Sequence, residues 1–155
     1  MRVAEACIAE VVHRHVVPIC VRPDRFIDRI SQGVTIMLTA TCHCGAVRIE
    51  TPRRPRSLTN CNCSICRRYG TLWAYYPAAQ VRVVAAPGST SAYSWGHKRL
   101  RFVRCNTCGC ITHWERIHPT AESRVGVNAR NFEPSALGPV RIRLLDGAST
   151  WKYVD

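Results

Sequence analysis

Three cysteines fall within six residues at Cys61-Asn62-Cys63-Ser64-Ile65-Cys66, with no fourth close by. Cys42-His43-Cys44-Gly45 lies upstream of them and Cys105-Asn106-Thr107-Cys108-Gly109 downstream. Cysteines one or two residues apart suit metal chelation better than ordinary disulfides. Four thiolates close a tetrahedral zinc site, whereas three leave a position for water or substrate. Cys42, Cys44, Cys105 and Cys108 therefore read as a structural zinc site. Cys61, Cys63 and Cys66 read as a second zinc site with an open position, where chemistry is expected. The cofactor this implies is Zn2+, two ions per chain.

Gly45 and Gly109 each follow the last cysteine of an outer pair. A left-handed residue there turns backbone N–H groups toward the sulfurs, which is the reason for joining those two pairs. Arg67 and Arg68 follow the triplet instead, where two cations favour ionised thiols and would welcome an anionic substrate. Two other readings of the triplet stay open: a closed site with Cys110, His43 or His113 as fourth ligand, and a redox pair at Cys63 and Cys66. An open, electron-rich zinc suits a further thiolate better than water. The matching reaction is addition of a thiol to an aldehyde, or the reverse. His97, His113 and Tyr69 are the candidate proton donors.

The elements that must position these residues are short. Strands are predicted over 46–50, 72–76, 81–85, 90–95, 100–105, 110–115, 124–128 and 140–145, separated by Gly and Pro turns. A hairpin is expected around Gly96-His97-Lys98, and one helical turn over 64–69 stopped by Gly70. No strong amphipathic helix is present. The class is mainly β with little helix. Residues 1–36 lack a sustained period and read as a poorly ordered extension or a start-site artefact, and the domain proper occupies 37–155. Cys7 and Cys20 have no chemical neighbours in sequence.

The 155 residues fit one domain that gains from a metal staple. No apolar run approaches the roughly 18 residues of a membrane helix. The N-terminal stretch has Glu5 and Glu10 where a secretory signal needs an apolar run, so a reducing cytoplasm is the expected home. The formal charge of +12 counts every thiol as neutral; seven bound thiolates and two divalent ions lower it by about three. Either nucleic acid or a small acidic thiol fits a net positive field, and the scattered arginines favour the small molecule.

Three segments together resemble the glutathione-dependent formaldehyde-activating enzyme family, also called S-(hydroxymethyl)glutathione synthase, which includes the centromere protein V domain. They are Cys-His-Cys-Gly-Ala-Val-Arg at 42–48, Cys-Asn-Cys-Ser-Ile-Cys-Arg-Arg-Tyr-Gly at 61–70 and Arg-Cys-Asn-Thr-Cys-Gly at 104–109. The late segments 127–131 and 145–149 support the match. The resemblance implies a β-tent of antiparallel sheets, a structural zinc on the outer pairs and a labile catalytic zinc on the triplet. It also implies a carbon–sulfur lyase that joins glutathione, or a related thiol, to formaldehyde or another small aldehyde. The competing reading is a zinc-stapled β-tent that binds nucleic acid or a protein partner without catalysis, motivated by the basic balance and by Trp95 and Trp151. Methionine sulfoxide reduction would require a catalytic cysteine outside the knuckles, for which only Cys110 is available in the domain.

Overall fold

The computed structural model describes residues 7–12, 15–20 and 37–155. The chain divides into two units, Met1–Thr35 and Ile36–Asp155. In the first, β1 (Cys7–Val12) pairs antiparallel with β2 (His15–Cys20). Pro18 lies within β2, opposite Ala9, in a two-stranded sheet whose edges tolerate a missing donor. The expectation that 1–36 is a poorly ordered extension or a start-site artefact otherwise falls outside the described residues.

The second unit is mainly β, built from eleven strands in two sheets. The smaller sheet holds β3 (Leu38–Thr41), β4 (Val47–Thr51) and β7 (Arg82–Ala85), with β4 in the centre. The larger holds β5 (Ser57–Cys61), β6 (Trp73–Pro77), β8 (Thr90–Tyr93), β9 (Leu100–Cys105) and β10 (Ile111–Arg116). It is completed by β11 (Arg124–Asn128), β12 (Arg141–Asp146) and β13 (Lys152–Tyr153), in the order β13-β12-β5-β6-β11-β10-β9-β8. Helix is confined to four-residue pieces, α1 (Cys66–Tyr69) and α2 (Pro134–Leu137), and two single 3-10 turns among the described residues.

Period-2 alternation decides which face is buried. In β4, Val47, Ile49 and Thr51 point inward while Arg48 faces solvent. Leu38, Ala40 and Ile49 of the small sheet meet Leu58, Ala74, Tyr76, Val125 and Val127 of the large one in a single core. Two polar groups inside it are satisfied: Thr51 Oγ1 donates to the Leu38 carbonyl, and the Tyr76 hydroxyl donates to the Arg53 carbonyl. A second cluster gathers Trp73, Phe102 and Ile111 around the cysteine triplet.

One strand pair departs from the expected antiparallel sheets. β12 runs parallel to β5, with Leu145 in register with Cys61. A parallel pair needs a long crossover, and here most of the domain supplies it. The orientation matters for the site. It places the carboxyl ends of β5 and β12 side by side, so the turn after β12 arrives where the triplet begins.

Candidate functional site

The outer pairs meet. Cys42 opens the turn after β3 and Cys105 ends β9, and the four sulfurs of Cys42, Cys44, Cys105 and Cys108 lie within 4.8 Å of one another. Cys42 Sγ and Cys105 Sγ each stand 3.6 Å from Cys44 Sγ. A tetrahedron of sulfurs about 2.3 Å from zinc has edges of about 3.8 Å, so this donor set fits the ion. Gly45 and Gly109 take φ values of +78° and +72°, and their N–H groups bond back to the Cys42 and Cys105 carbonyls. The knuckles they form turn backbone donors onto the sulfurs, as when Val47 N–H meets Cys42 Sγ at 3.3 Å. The Cys110 N–H holds Cys108 down to about 5. The Ala46 N–H favours the Cys44 thiolate, but desolvation and the neighbouring sulfurs push that thiol up to about 12. The proton is thus held more tightly by Cys44 than by Cys105 or Cys108, both of which are lowered, and a metal ion would displace it.

The triplet is built differently. Cys61 ends β5, Cys63 lies in the following turn, and Cys66 opens α1, whose C-cap Gly70 is left-handed at φ +61°. All three are buried and their sulfurs lie within 4.8 Å of one another, with no fourth His, Cys, Asp or Glu joining them among the described residues. Each flanking sulfur has its own donor. The Trp73 indole N–H reaches Cys66 Sγ at 3.2 Å, and the Cys63 and Gly147 N–H groups face Cys61. Hydrogen bonding from Cys66, then these backbone donors, brings Cys61 down to about 6. Cys66 is raised correspondingly, because it shares its proton with Cys61 and is desolvated. Three soft sulfurs without a fourth protein ligand fit a zinc ion with one exchangeable position.

Late segments hold this centre together. Asn62, between two of the cysteines, donates through Nδ2 to Asp146 Oδ1 at 3.0 Å and accepts the Ala148 N–H at 2.8 Å. Asp146 Oδ2 accepts from Thr150 N and Oγ1. Arg130 Nε donates to the Gly70 carbonyl and so ties down the end of α1. Asn128 accepts the Leu72 N–H and donates to the Ile111 carbonyl. The polar residues of 127–131 and 145–149 therefore brace the triplet from both sides.

A cavity of about 600 Å³ opens over the three sulfurs. Its walls are mostly aromatic, including Trp73, Tyr75, Trp95, Phe102, Trp114 and Trp151, with His97 and Arg99 contributing polar side chains. Trp95, His97 and Arg99 come from the loop joining β8 to β9, and all three are exposed.

The model of the family described as "Glutathione-dependent formaldehyde-activating enzyme" matches residues 37–141. The chain belongs to the glutathione-dependent formaldehyde-activating enzyme family. Membership supports thiol–aldehyde adduct formation as the chemistry at the level of the family. A solved crystal structure of a Rhodobacter sphaeroides protein is similar to this member: TM-score 0.56, 33% identity, covering 68% of this chain and 99% of that one. No helix among the described residues is long and apolar enough to cross a membrane.

Against this family framework the remaining sequence candidates separate. His97 lines the cavity. Arg67 and Arg68 are exposed on α1; Arg68 donates to the Ser64 carbonyl at 2.7 Å and lines a shallower neighbouring depression with Tyr93 and Trp95. Tyr69 packs against Phe102 with ring centroids 6.1 Å apart. His113 is buried beside Thr112 and Glu115 and lines a different pocket, next to β7 and β8. Cys110 packs against the four-cysteine cluster, and neither it, His43 nor His113 joins the triplet. Sequence reasoning missed Trp73, Arg99, Trp114 and Gly147. Only Gly147 left a trace, as part of a segment that resembled the family.

Proposed function

We propose that this protein is a zinc-dependent carbon–sulfur lyase that joins glutathione, or a related thiol, to formaldehyde or another small aldehyde as an S-hydroxyalkyl adduct. The supporting observation is the convergence of Cys61, Cys63 and Cys66, without a fourth ligand among the described residues, at the floor of a cavity. Cys42, Cys44, Cys105 and Cys108 would hold the structural ion and the triplet the reactive one. When bound at the triplet, zinc supplies an exchangeable position and the Lewis acidity that makes a thiol acidic at neutral pH.

The chain's own groups do the rest. The Trp73 and Gly147 N–H groups fix the orientation of Cys66 and Cys61. The buried Trp73 and Phe102 make the surroundings of the sulfurs apolar, which strengthens the attraction between ionised sulfur and its donors. In the addition, the sulfur lone pair forms the S–C bond, the carbonyl π pair moves to oxygen, and a proton must reach that oxygen. His97 lines the cavity and has the imidazole to deliver it. Arg99 gives the mouth a cation for a thiol's carboxylate. The pair Arg67 and Arg68 belongs to the outer side of α1 and contributes field, not contact, in this reading.

The test is zinc content and adduct formation, with the uncatalysed addition subtracted, for the native chain and for Cys63→Ser. One ion per chain retained and the catalysed rate lost is the expected result. An unchanged catalysed rate in Cys63→Ser would refute the assignment.

A further inference from the structure

The cavity over the triplet is larger and more apolar than formaldehyde needs. Formaldehyde has two heavy atoms and nothing to place against a wall, whereas the cavity of about 600 Å³ is the size of sites that enclose drug-sized ligands. The tripeptide thiol does not account for the walls either. Glutathione carries two carboxylates, an ammonium and two amides, and buried polar groups without partners are disfavoured. The polar side chains that could meet them, His97 and Arg99, are exposed on the β8–β9 loop. The thiol's polar body therefore belongs near that loop, with its sulfur reaching inward.

That leaves the aromatic wall. Tyr75 and Trp114 meet at 5.8 Å between centroids with a 60° tilt, and Trp73 and Phe102 at 6.1 Å with a 51° tilt. A tilted pair offers ring edge and face to a further aromatic ring. Trp73 and Phe102 are almost fully buried and Arg124 lies over one Tyr75 face at 5.4 Å, so the half-buried Trp114 and the remaining surface of Tyr75 are what a ligand can reach. The seat for Trp114 is itself built: it lies across from Gly126, where any Cβ would collide with the indole. Trp151, itself largely exposed, borders the wall from the 146–151 turn, which is held by the Asn62–Asp146 hydrogen bond.

We propose that, among aldehydes, the site favours one bearing an apolar, aromatic-sized substituent, seated against Tyr75, Trp114 and Trp151, over formaldehyde. This rests on the thiol–aldehyde reading above. The reaction balances without a redox partner: the thiol S–H and the carbonyl become S–CH(OH)–R, the proton ending on oxygen.

The test uses the zinc-loaded full chain with glutathione and either phenylacetaldehyde or formaldehyde, each compared with its own uncatalysed rate. The expected result is a rate enhancement at least about tenfold greater for phenylacetaldehyde. Trp114→Ala should erase most of that preference. Because this variant disturbs packing as well, 2-phenylethanol binding to the native chain, read by titration calorimetry, supplies a second measurement. Enhancement as large for formaldehyde, or no binding of 2-phenylethanol, overturns the apolar seat and leaves the thiol–aldehyde reading standing. No enhancement with either aldehyde overturns both.

Discussion

Gly147 lies so close over Cys61 that a Cβ built on it would stand 2.5 Å from the Cys61 sulfur and 3.2 Å from Cys63 Cβ. No left-handed φ is involved; the constraint is space alone. A backbone N–H can approach the thiolate only where no side chain intervenes. Gly147→Ala should therefore push the 146–150 turn away and remove a donor from Cys61. Loss of such an outer partner typically weakens metal affinity about 10- to 100-fold. A competition titration with a chromogenic chelator would measure it, and an unchanged affinity at the triplet would show the contact to be incidental.

Trp73→Phe tests the other flank. Phenylalanine keeps an aromatic ring but is smaller, so at this almost fully buried site the 3.2 Å N–H to Cys66 Sγ is lost together with some packing. Hydrogen bonds to charged groups contribute about 1.5–3 kcal/mol. The triplet should hold its ion about tenfold less tightly or worse, and the four-cysteine site should be unaffected. Equal losses at both sites would point to a general packing defect.

The two centres should differ when dismantled. Cys105→Ser breaks the link between the turn after β3 and the end of β9, ligands 61 residues apart in sequence from Cys44 to Cys105. Structural zinc contributes on the order of ten kcal/mol in small domains, so this variant should lose cooperative unfolding or melt at least about 10 °C lower. Cys63→Ser should leave the melting temperature much closer to that of the native chain. Scanning calorimetry of both variants makes the comparison.

His113 predicts a pH effect on stability. Burial disfavours its charged form and lowers its pKa below the usual 6.5, outweighing the attraction of Glu115. Above about 6.5 the imidazole is neutral folded or unfolded and contributes no pH dependence. As pH falls below that value the unfolded chain takes up a proton that the folded chain resists, so stability declines until the folded pKa is reached. His113→Gln should flatten the slope of unfolding free energy between about pH 6.5 and 5. An identical slope in the variant would remove His113 as its source.

Much of the strand pattern was legible. Leu100–Cys105 and Arg124–Asn128 coincide with their predicted spans, and α1 stops at Gly70 as its sequence implies. β3, β5, β13 and α2 were not among the predicted elements; each spans at most five residues, little for a period to show in, and β7 and β8, as short, were read from the turn residues that flank them. The parallel pairing of β5 and β12 escaped it for another reason: alternation fixes which face is buried, not which neighbour a strand takes.

The three cysteine motifs were legible in the sequence, because Cys-x-Cys and Cys-x2-Cys spacing is local and Gly45 and Gly109 permit the turns it needs. That the two outer pairs lie together as one group that could hold a metal is seen in the tertiary structure. The surroundings of the triplet were a matter of tertiary structure. Cys61 meets Gly147 across 86 residues, and the β8–β9 loop brings Arg99 to a cavity whose floor was made more than thirty residues earlier. Contacts of that range depend on strand order and packing, for which short-range spacing carries no signal.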